Sequence, residues 1–221
     1  MKSDKHKSDK EYKPPVDPHP QFNLAPPPEG PMRTIYNLLS GLVVFIFIPI
    51  LVALFLTAFV IQSYQVDGES METTLQNHDR LIVDKLPRTL ARITGHQYVP
   101  KRGDIIIFNQ TGLPDTIYQK QLIKRVVGLP GDRVVVKGGK VTIYNKANPK
   151  GFNPDKTTGY HIAASVTLID TDVTLGPNEI FVFGDNRGNS EDSRHFGPVQ
   201  LNNVVGQLVL RIAPLSNLEK F

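Results

Sequence analysis

The sequence predicts a mainly β domain that is attached to one N-terminal transmembrane helix. The first observation is an uncharged, almost wholly apolar run of 20 residues at 42–61. The second is a series of short segments after this run, rich in Val, Ile and Phe and bounded by Gly, Pro, Asp or Asn. The third is that no long amphipathic helical pattern follows residue 63, where only 77–92 suits a short helical turn.

The first 34 residues are predicted to be a tail without a fixed structure. Residues 1–31 hold 8 of the 18 prolines, and most of the other positions are polar or charged. Such a composition buries too little apolar surface to offset the entropy that is lost on ordering. We therefore predict a disordered, Pro-rich cytoplasmic tail over 1–34, a transmembrane anchor over 35–62 and a β-rich extracytoplasmic domain over 63–221.

The apolar run has the length that a transmembrane helix needs. About 20 apolar residues span the ~30 Å hydrocarbon core, and Pro49 can kink such a helix without breaking it. The run begins too late and extends too far for a cleaved signal peptide. Arg33 and five upstream lysines precede it, whereas the first basic residue after it is Arg80. The positive-inside rule predicts a single-pass plasma-membrane protein whose N-terminus is cytoplasmic.

Six segments of the domain are predicted to be β-strands. Between two of them, Gly138 and Gly139 suit a type I′ hairpin turn, which needs positive φ at both central residues. Residues 145–160 contain two Pro and two Gly and are predicted to be a surface loop or an insertion. The six predicted strands are Leu81–Val83, Asp104–Phe108, Leu122–Val127, Arg133–Val136, Lys140–Tyr144 and Ile180–Phe183.

The composition excludes several classes of chemistry. Without Cys, the chain has no disulfide framework, thiol nucleophile or Cys-ligated metal. The net charge of +4 is dispersed, so we expect no nucleic-acid partner. The motifs HExxH, GxGxxG and GxxxxGK[ST] are missing, and the polar loop at 184–197 does not follow the EF-hand spacing. We therefore expect no metal and no cofactor.

Lys124 and Ser70 are candidates for a catalytic pair. In a strand, Lys124 shares a face with Leu122 and Val126, and these apolar flanks favour a neutral amine that can take a proton from a serine hydroxyl. A lysine that snorkels from an edge strand is the simpler interpretation of this segment alone. Residue order also leaves open a Ser-His-Asp triad through His78 or His195.

Three blocks, in this order behind the anchor, resemble bacterial type I signal peptidases, the leader peptidases with a Ser-Lys dyad. They are Arg102–Phe108, Leu122–Asp132 and the loop that begins Gly184-Asp-Asn-Arg and continues to Arg194. A fourth, weaker block contains Ser70. The resemblance covers roughly residues 62–198 and implies a signal-peptidase-like antiparallel β domain.

The resemblance also implies a role for each matching residue. Ser70 is the nucleophile, its backbone N–H is one oxyanion donor, and Lys124 is the general base. The supporting residues are Ser190, which orients the lysine, Asp192 and Arg194, which form an ion pair, and Met71, which packs beside the nucleophile. The residues Asp185 and Arg125 are expected to be structural.

The implied function is a serine endopeptidase that cleaves N-terminal signal peptides from exported pre-proteins after small-x-small sites, through an acyl-enzyme. Its expected partners are the pre-proteins and the lipid bilayer. Two alternatives stay open: a conjugation-type Ser-Lys peptidase with one dedicated substrate, and a membrane-anchored binding protein of the same fold that has lost catalysis.

The effect of two residues near Ser70 on catalysis cannot be established from the sequence alone. The family box usually has proline where this chain has Thr73, and proline would restrain the backbone next to the nucleophile. From this we expect Thr73→Pro to be neutral or to raise activity. Gly68 occupies the position that supplies a hydroxyl donor to the oxyanion in some members, so the second donor is not identified by the sequence.

Overall fold

The computed structural model describes residues 30–110, 120–157, 160, 162 and 167–221. One helix, Pro31–Val60, is long and apolar enough to cross a membrane. It contains the α-helices α1 (Pro31–Leu42) and α2 (Ile48–Phe55), each followed by a wider π-helical segment, Val43–Phe47 and Leu56–Val60. The first π-helical segment immediately precedes the turn that holds Pro49, which has no N–H to donate to a preceding carbonyl.

The boundaries of this helix differ slightly from the predicted anchor at 35–62. Ile61 and Gln62 begin strand β1 instead, because Ile61 has an extended backbone and pairs with Asp84. At the other end, residues 31–34 are already helical, and Pro31 takes the first helical position, where a missing N–H costs nothing. The rest of the predicted disordered tail, residues 1–29, lies outside the described residues.

The larger antiparallel sheet has the strand order β1-β2-β11-β3-β4-β9-β10, and β12 pairs with β11. Four of its strands, β2, β3, β4 and β9, are segments that the sequence predicted, whereas the ten-residue strand β11, which lies between β2 and β3, was not predicted. The strands are β1 (Ile61–Gln65), β2 (Arg80–Asp84), β3 (Ile105–Gln110), β4 (Lys120–Gly128), β9 (Glu179–Phe183), β10 (Val199–Gln200), β11 (Val204–Ala213) and β12 (Glu219–Lys220).

The smaller antiparallel sheet has the order β7-β6-β5-β8. Gly138 and Gly139 both have positive φ, which confirms the predicted turn between β5 and β6. The predicted loop at 145–160 is wrong in part, because Asn148–Phe152 pairs with β6 and Pro154–Thr157 is helical. The strands are β5 (Arg133–Lys137), β6 (Lys140–Asn145), β7 (Asn148–Phe152) and β8 (Thr171–Thr174).

Five short helices complete the described structure. α3 (Leu86–Ile93) follows β2 and overlaps the region 77–92, where a short helical turn was predicted. The others are α4 (Pro154–Thr157), α5 (Ser193–Phe196) and the 3-10 helices Leu201–Asn203 and Leu215–Asn217.

Strand β9 is shared by two hydrophobic cores. Ile180 and Val182 pack into a cluster with residues of β3 and β11, whereas Phe181 and Phe183 pack into a cluster under the smaller sheet. This alternation follows from the two-residue period of a strand and explains why the segment is apolar throughout. The loop that begins after Phe183 therefore starts from a strand whose two faces are both packed in a hydrophobic core.

Candidate active site

Ser70 and Lys124 come together although they are 54 residues apart in the chain. Ser70 lies in the turn region after β1, and Lys124 lies in the middle of β4, opposite Ile106 of β3. The Nζ of Lys124 is 2.8 Å from the Oγ of Ser70, and it donates a hydrogen bond of 3.0 Å to the carbonyl oxygen of Ile123. The amine is thus held by two contacts, one with a backbone carbonyl oxygen and one with the serine hydroxyl.

Lys124 is buried, with 3% of its surface exposed. Burial lowers the pKa of Lys124 to about 8, since the charged ammonium loses its hydration. The positive charge of Lys120 acts in the same direction, whereas the carboxylates of Asp192, Glu191 and Asp185 act against it. The lysine is therefore desolvated, as the strand pattern predicted, and a large fraction of the amine is neutral near pH 8.

The backbone around Ser70 is held by the loop that follows β9. The N–H of Asn186 donates to the carbonyl oxygen of Ser70 at 3.1 Å, and the side-chain amide of Asn186 donates to the carbonyl oxygen of Glu69 at 3.1 Å. A Cβ at Gly184 would collide with the Ser70 carbonyl oxygen and with the Ser190 Oγ, so only glycine permits this close approach. On the inner side, Met71 is buried in a cluster with Leu75.

The predicted ion pair between Asp192 and Arg194 is formed and buried. The two side chains make paired hydrogen bonds of 2.8 and 2.7 Å, and Asp192 also accepts the N–H of Gly184 at 3.0 Å. A second Nη of Arg194 donates to the carbonyl oxygen of Arg187 at 2.8 Å. Because these contacts link both ends of the loop, they hold Gly184 in place beside Ser70.

Arg125 and Asp185 form a second buried ion pair one residue from the lysine. Their paired hydrogen bonds are 2.8 and 2.6 Å long, and 7% and 0% of the two side chains is exposed. The hydroxyl of Thr74 donates to Asp185 at 2.5 Å. This pair therefore joins strand β4, the loop after β9 and the turn that carries Ser70.

Ser190 lies next to this arrangement, but its hydroxyl has no hydrogen-bond partner among the described residues. Only 8% of its surface is exposed. The hydrogen bond to Lys124 that the family resemblance implies is thus not formed in this structure. A buried polar atom without a partner is costly and rare in native proteins, and a catalytic role is one reason for its presence.

The backbone N–H of Ser70 makes no hydrogen bond with the described residues, which leaves it available to a ligand. The N–H of Gly68, by contrast, donates to the side chain of Asn77 at 3.1 Å. Gly68 has φ of +100°, so a serine at this position would be strained. This explains in part why no hydroxyl donor is present there, and it leaves the second oxyanion donor unassigned.

Thr73 has φ of +80°, a conformation that proline cannot adopt. The structure therefore contradicts the expectation that Thr73→Pro is neutral or beneficial. A β-branched residue in this region costs about 1–2 kcal/mol, and the cost is tolerated because Thr74 and Leu75 both donate to the Met71 carbonyl oxygen. The turn in this chain is adapted to a residue other than proline.

Thr73→Pro is expected to lower kcat/KM for the endopeptidase reaction that the family resemblance implies by about 10²-fold, because the turn must rearrange and displace Ser70. Thr73→Gly, which accepts positive φ without strain, is the matched control and is expected to keep activity near that of the parent. Cleavage assays and thermal unfolding of the three proteins check this. Full activity of Thr73→Pro would show that residue 73 has negative φ in the working enzyme.

A cleft of about 740 Å³ opens over the two side chains. Its walls come from β1 and from the start of β4, with apolar contributions from Leu81, Ile107 and Leu122. Three carboxylates line the rim, Asp67, Glu69 and Glu191. The cleft exposes an extended stretch of β4 on one side and β1 on the other, which suits a peptide in an extended conformation.

Histidine does not contact the serine in the described part of the chain. His78 lies against the side chains of Gln65 and Asn77, and His195 is exposed. The geometry therefore favours Lys124 over a Ser-His-Asp triad. In the same ranges, no cluster of three or more His, Asp or Glu side chains is arranged to hold a metal ion.

Two residues of the site escaped the sequence analysis. Asn186 supports the Ser70 carbonyl, and Thr74 bridges Arg125 and Asp185. Asn186 lies in a loop that the sequence singled out, but a polar residue beside a glycine signals only a turn. The contact of Thr74 spans 111 residues of sequence, so no local pattern reveals it.

Comparison with known proteins gives a consistent family. A model described as signal peptidase, peptidase S26, matches residues 39–213. A signal peptidase I from Leptolyngbya laminosa is 32% identical over 209 residues, 91% of this chain and 92% of that protein. A signal peptidase I from Bacillus caldolyticus is 34% identical over 173 residues, 76% of this chain and 88% of that protein.

A solved signal peptidase I from Enterococcus faecalis is 28% identical and covers 50% of this chain and 97% of its own, with a TM-score of 0.37. The family model spans the apolar helix from residue 39 onward and nearly all of the β domain, and the two sequence relatives match over most of both chains. The chain therefore belongs to the signal peptidase family, peptidase S26, and its function is that of a membrane-anchored serine endopeptidase.

Proposed function

We propose that Ser70 and Lys124 form the catalytic dyad of this signal peptidase. The observation that carries the proposal is the 2.8 Å separation between the Ser70 Oγ and a buried amine whose pKa is lowered to about 8. A neutral amine has one lone pair and two N–H groups. With one N–H donated to the Ile123 carbonyl, the lone pair can accept the Ser70 hydroxyl proton.

In the first half of the reaction, the Ser70 Oγ attacks the scissile carbonyl while Lys124 takes its proton. The ammonium of Lys124 then gives this proton to the leaving amine as the C–N bond breaks, which leaves an ester on Ser70. In the second half, Lys124 takes a proton from water, the hydroxide oxygen attacks the ester, and Ser70 regains its proton. The enzyme returns to its starting state, and one peptide bond has been hydrolysed.

The supporting residues act through position. The backbone N–H of Ser70, which is free in the described structure, is proposed to donate to the oxyanion. The unpartnered hydroxyl of Ser190 is proposed to accept a hydrogen bond from Lys124 once the amine becomes an ammonium with three N–H donors. Asp192 and Arg194 hold the loop, and Met71 holds the inner side of the turn.

The proposed substrates are exported pre-proteins, cut after small-x-small sites. The chain between the apolar helix and the nucleophile is short, since Ser70 follows Ile61, the first residue of β1, by nine positions. A signal peptide in the bilayer can therefore deliver its cleavage site to the cleft. We infer an N-terminus in the cytoplasm and a catalytic domain over 63–221 outside it, from the lysines and Arg33 before the apolar helix.

The rate of cleavage is expected to depend on pH through Lys124. Only the neutral amine accepts a proton, so kcat/KM should rise about tenfold per pH unit below pH 8 and level off above it. Two controls shift the profile in opposite directions. Glu191→Gln removes a charge that raises the pKa of Lys124 and moves the rise to lower pH, whereas Lys120→Gln moves it to higher pH.

Profiles of the parent and both variants, measured with a pre-protein substrate at low salt, check this expectation. Both displacements should shrink at high ionic strength, because the two charges are exposed. A rise centred near pH 10, or variants that shift the profile in the same direction, would contradict the role of Lys124 as base.

A further inference from the structure

Helix α3 has its apolar face on the outside. Leu86, Leu90 and Ile93 recur at the i, i+4 and i+7 spacing of one face, and they are 38%, 50% and 76% exposed. Pro87 and Ala91, on a neighbouring side of the helix, are half-buried. A helix on the surface of a water-soluble domain normally shows the reverse pattern, so this face is suited to a non-aqueous environment.

Contacts fix α3 beside the last turn of the apolar helix. The N–H of Lys85 donates to the Val60 carbonyl oxygen at 2.7 Å, and the hydroxyl of Thr89 donates to the Phe59 carbonyl oxygen at 3.0 Å. The ammonium of Lys85 also lies 3.3 Å from the Thr57 carbonyl oxygen. The outward face of α3 is therefore held at the level where residues 57–60 end the membrane-spanning segment.

A cleft of about 440 Å³ lies between this last turn and α3. Its lining combines two kinds of side chain, the apolar Phe59, Ile93 and Val205 and the cationic Lys85, Arg88 and Arg92. A site with apolar walls and a cationic rim matches a ligand with an acyl chain and a phosphate group.

Within the described part of the chain, no carboxylate forms an ion pair with the cationic side chains of this cleft. Neither Arg88 nor Arg92 forms an ion pair within the described ranges, and Arg88 donates only to the Asn202 carbonyl oxygen, at 3.1 Å. Burial and the neighbouring Arg92 both lower the pKa of Arg88. Two adjacent guanidinium groups without a carboxylate favour binding of an anion such as a phosphate.

We propose that this cleft binds an anionic phospholipid, with the lipid phosphate on Arg88 and Arg92 and an acyl chain along Phe59 and Ile93. The outer face of α3 then lies in the interfacial region of the bilayer, as amphipathic helices with basic flanks do. The inference rests on the membrane topology proposed above. A bound lipid here would fix the height and rotation of the domain, and hence the position of the active site above the bilayer.

The lipid site is tested by native mass spectrometry of the full chain in detergent, with the Ser70→Ala substitution so that catalysis plays no part. Phosphatidylglycerol is expected to remain bound, and phosphatidylcholine is not. Arg92→Gln and the double variant Arg88→Gln/Arg92→Gln should bind phosphatidylglycerol at least tenfold more weakly, whereas Arg133→Gln, at an exposed arginine of the smaller sheet, should bind like the parent.

Equal retention of both lipids, or unchanged binding by the Arg92→Gln protein, would overturn the proposal. In a third experiment, inorganic phosphate is added as a competitor of the bound lipid. Displacement of the lipid by millimolar phosphate would assign the site to free phosphate instead of a phospholipid and would also overturn it. The same arginine variants, with Ser70 intact, should cleave a short soluble peptide at the parent rate, which excludes a loss of fold.

The position of α3 is tested separately, and the absence of Cys makes single-cysteine labelling direct. A fluorophore on Leu90→Cys should be quenched by bromine-labelled lipids in mixed phosphatidylcholine–phosphatidylglycerol vesicles, and one on the exposed Lys137→Cys should not. Alkaline extraction of the protein from the vesicles would overturn the membrane anchor and this inference with it. If the protein stays in the vesicles but the label at position 90 is not quenched, the membrane anchor stands and only the inference about α3 is overturned. A protein partner that covers α3 would give this second result.

Discussion

Replacement of Lys124 by methionine is expected to lower kcat/KM for pre-protein cleavage by about 10⁴-fold or more. General-base catalysis by a positioned side chain accelerates a reaction by about 10²–10⁴-fold. Because a nucleophile and its base act as a unit, loss of the base also removes most of the rate acceleration that the nucleophile provides. Methionine matches the unbranched lysine side chain as far as Cε, with sulfur in place of Cδ, and lacks the amine. The fold should therefore persist, since a buried amine is costly and its removal leaves no charge without a partner.

Lys120→Met is the matched control for this substitution. Lys120 lies in the same strand and also lines the cleft, but it is exposed and is not within hydrogen-bond distance of Ser70 in the described structure. Its substitution should leave kcat within a few-fold of the parent. Near-normal cleavage by Lys124→Met, with unfolding temperatures of all three proteins alike, would show that another group activates the serine.

The second large effect is expected at the buried ion pair of Arg125 and Asp185. Asp185→Asn leaves the guanidinium of Arg125 without a counter-charge in a site that is almost fully buried, and such a change costs about 3–5 kcal/mol of unfolding free energy. Activity should fall as well, because Asp185 adjoins Asn186, which holds the Ser70 carbonyl.

Asp172→Asn provides the comparison, since Asp172 forms an ion pair of the same geometry with Arg133, but about half of each side chain is exposed. Its unfolding free energy should stay near that of the parent, because solvent screens the exposed pair. Urea unfolding of the full chain in detergent measures both variants. Equal, small losses would mean that the Arg125–Asp185 pair is solvated in solution.

Local patterns predicted four strands of the larger sheet and two of the smaller one, but not β11, which lies between β2 and β3. All six predicted segments are strands, and the Gly138-Gly139 turn has the expected positive φ. These predictions are correct because the signals they use are local. Alternating apolar and polar residues, β-branched residues and glycine pairs favour strands and turns over a few neighbouring residues. The strand Asn148–Phe152 was not predicted, because it contains Pro149 and Gly151, which are typical of loops, and only pairing with β6 makes it a strand.

The active site was predicted only where local sequence or the family resemblance identified a residue. The apolar neighbours of Lys124 along its own strand allowed a desolvated lysine as one of two interpretations, and the family resemblance supplied Ser70 and favoured that interpretation. The conformation of Thr73 could not be anticipated, because its positive φ depends on how the whole turn packs on the loop after β9. The same holds for the unpartnered hydroxyl of Ser190, which depends on contacts between distant segments.

The central claim is that Ser70 is the nucleophile and that Lys124 activates it. The most direct measurement is acid quenching of the enzyme during turnover of a small-x-small pre-protein, followed by mass spectrometry of the digested enzyme. The account predicts an ester of the signal peptide on Ser70, at pH values where Lys124 is partly neutral, and none in Lys124→Met. An ester on another residue, or on Ser70 to the same extent without Lys124, would contradict it.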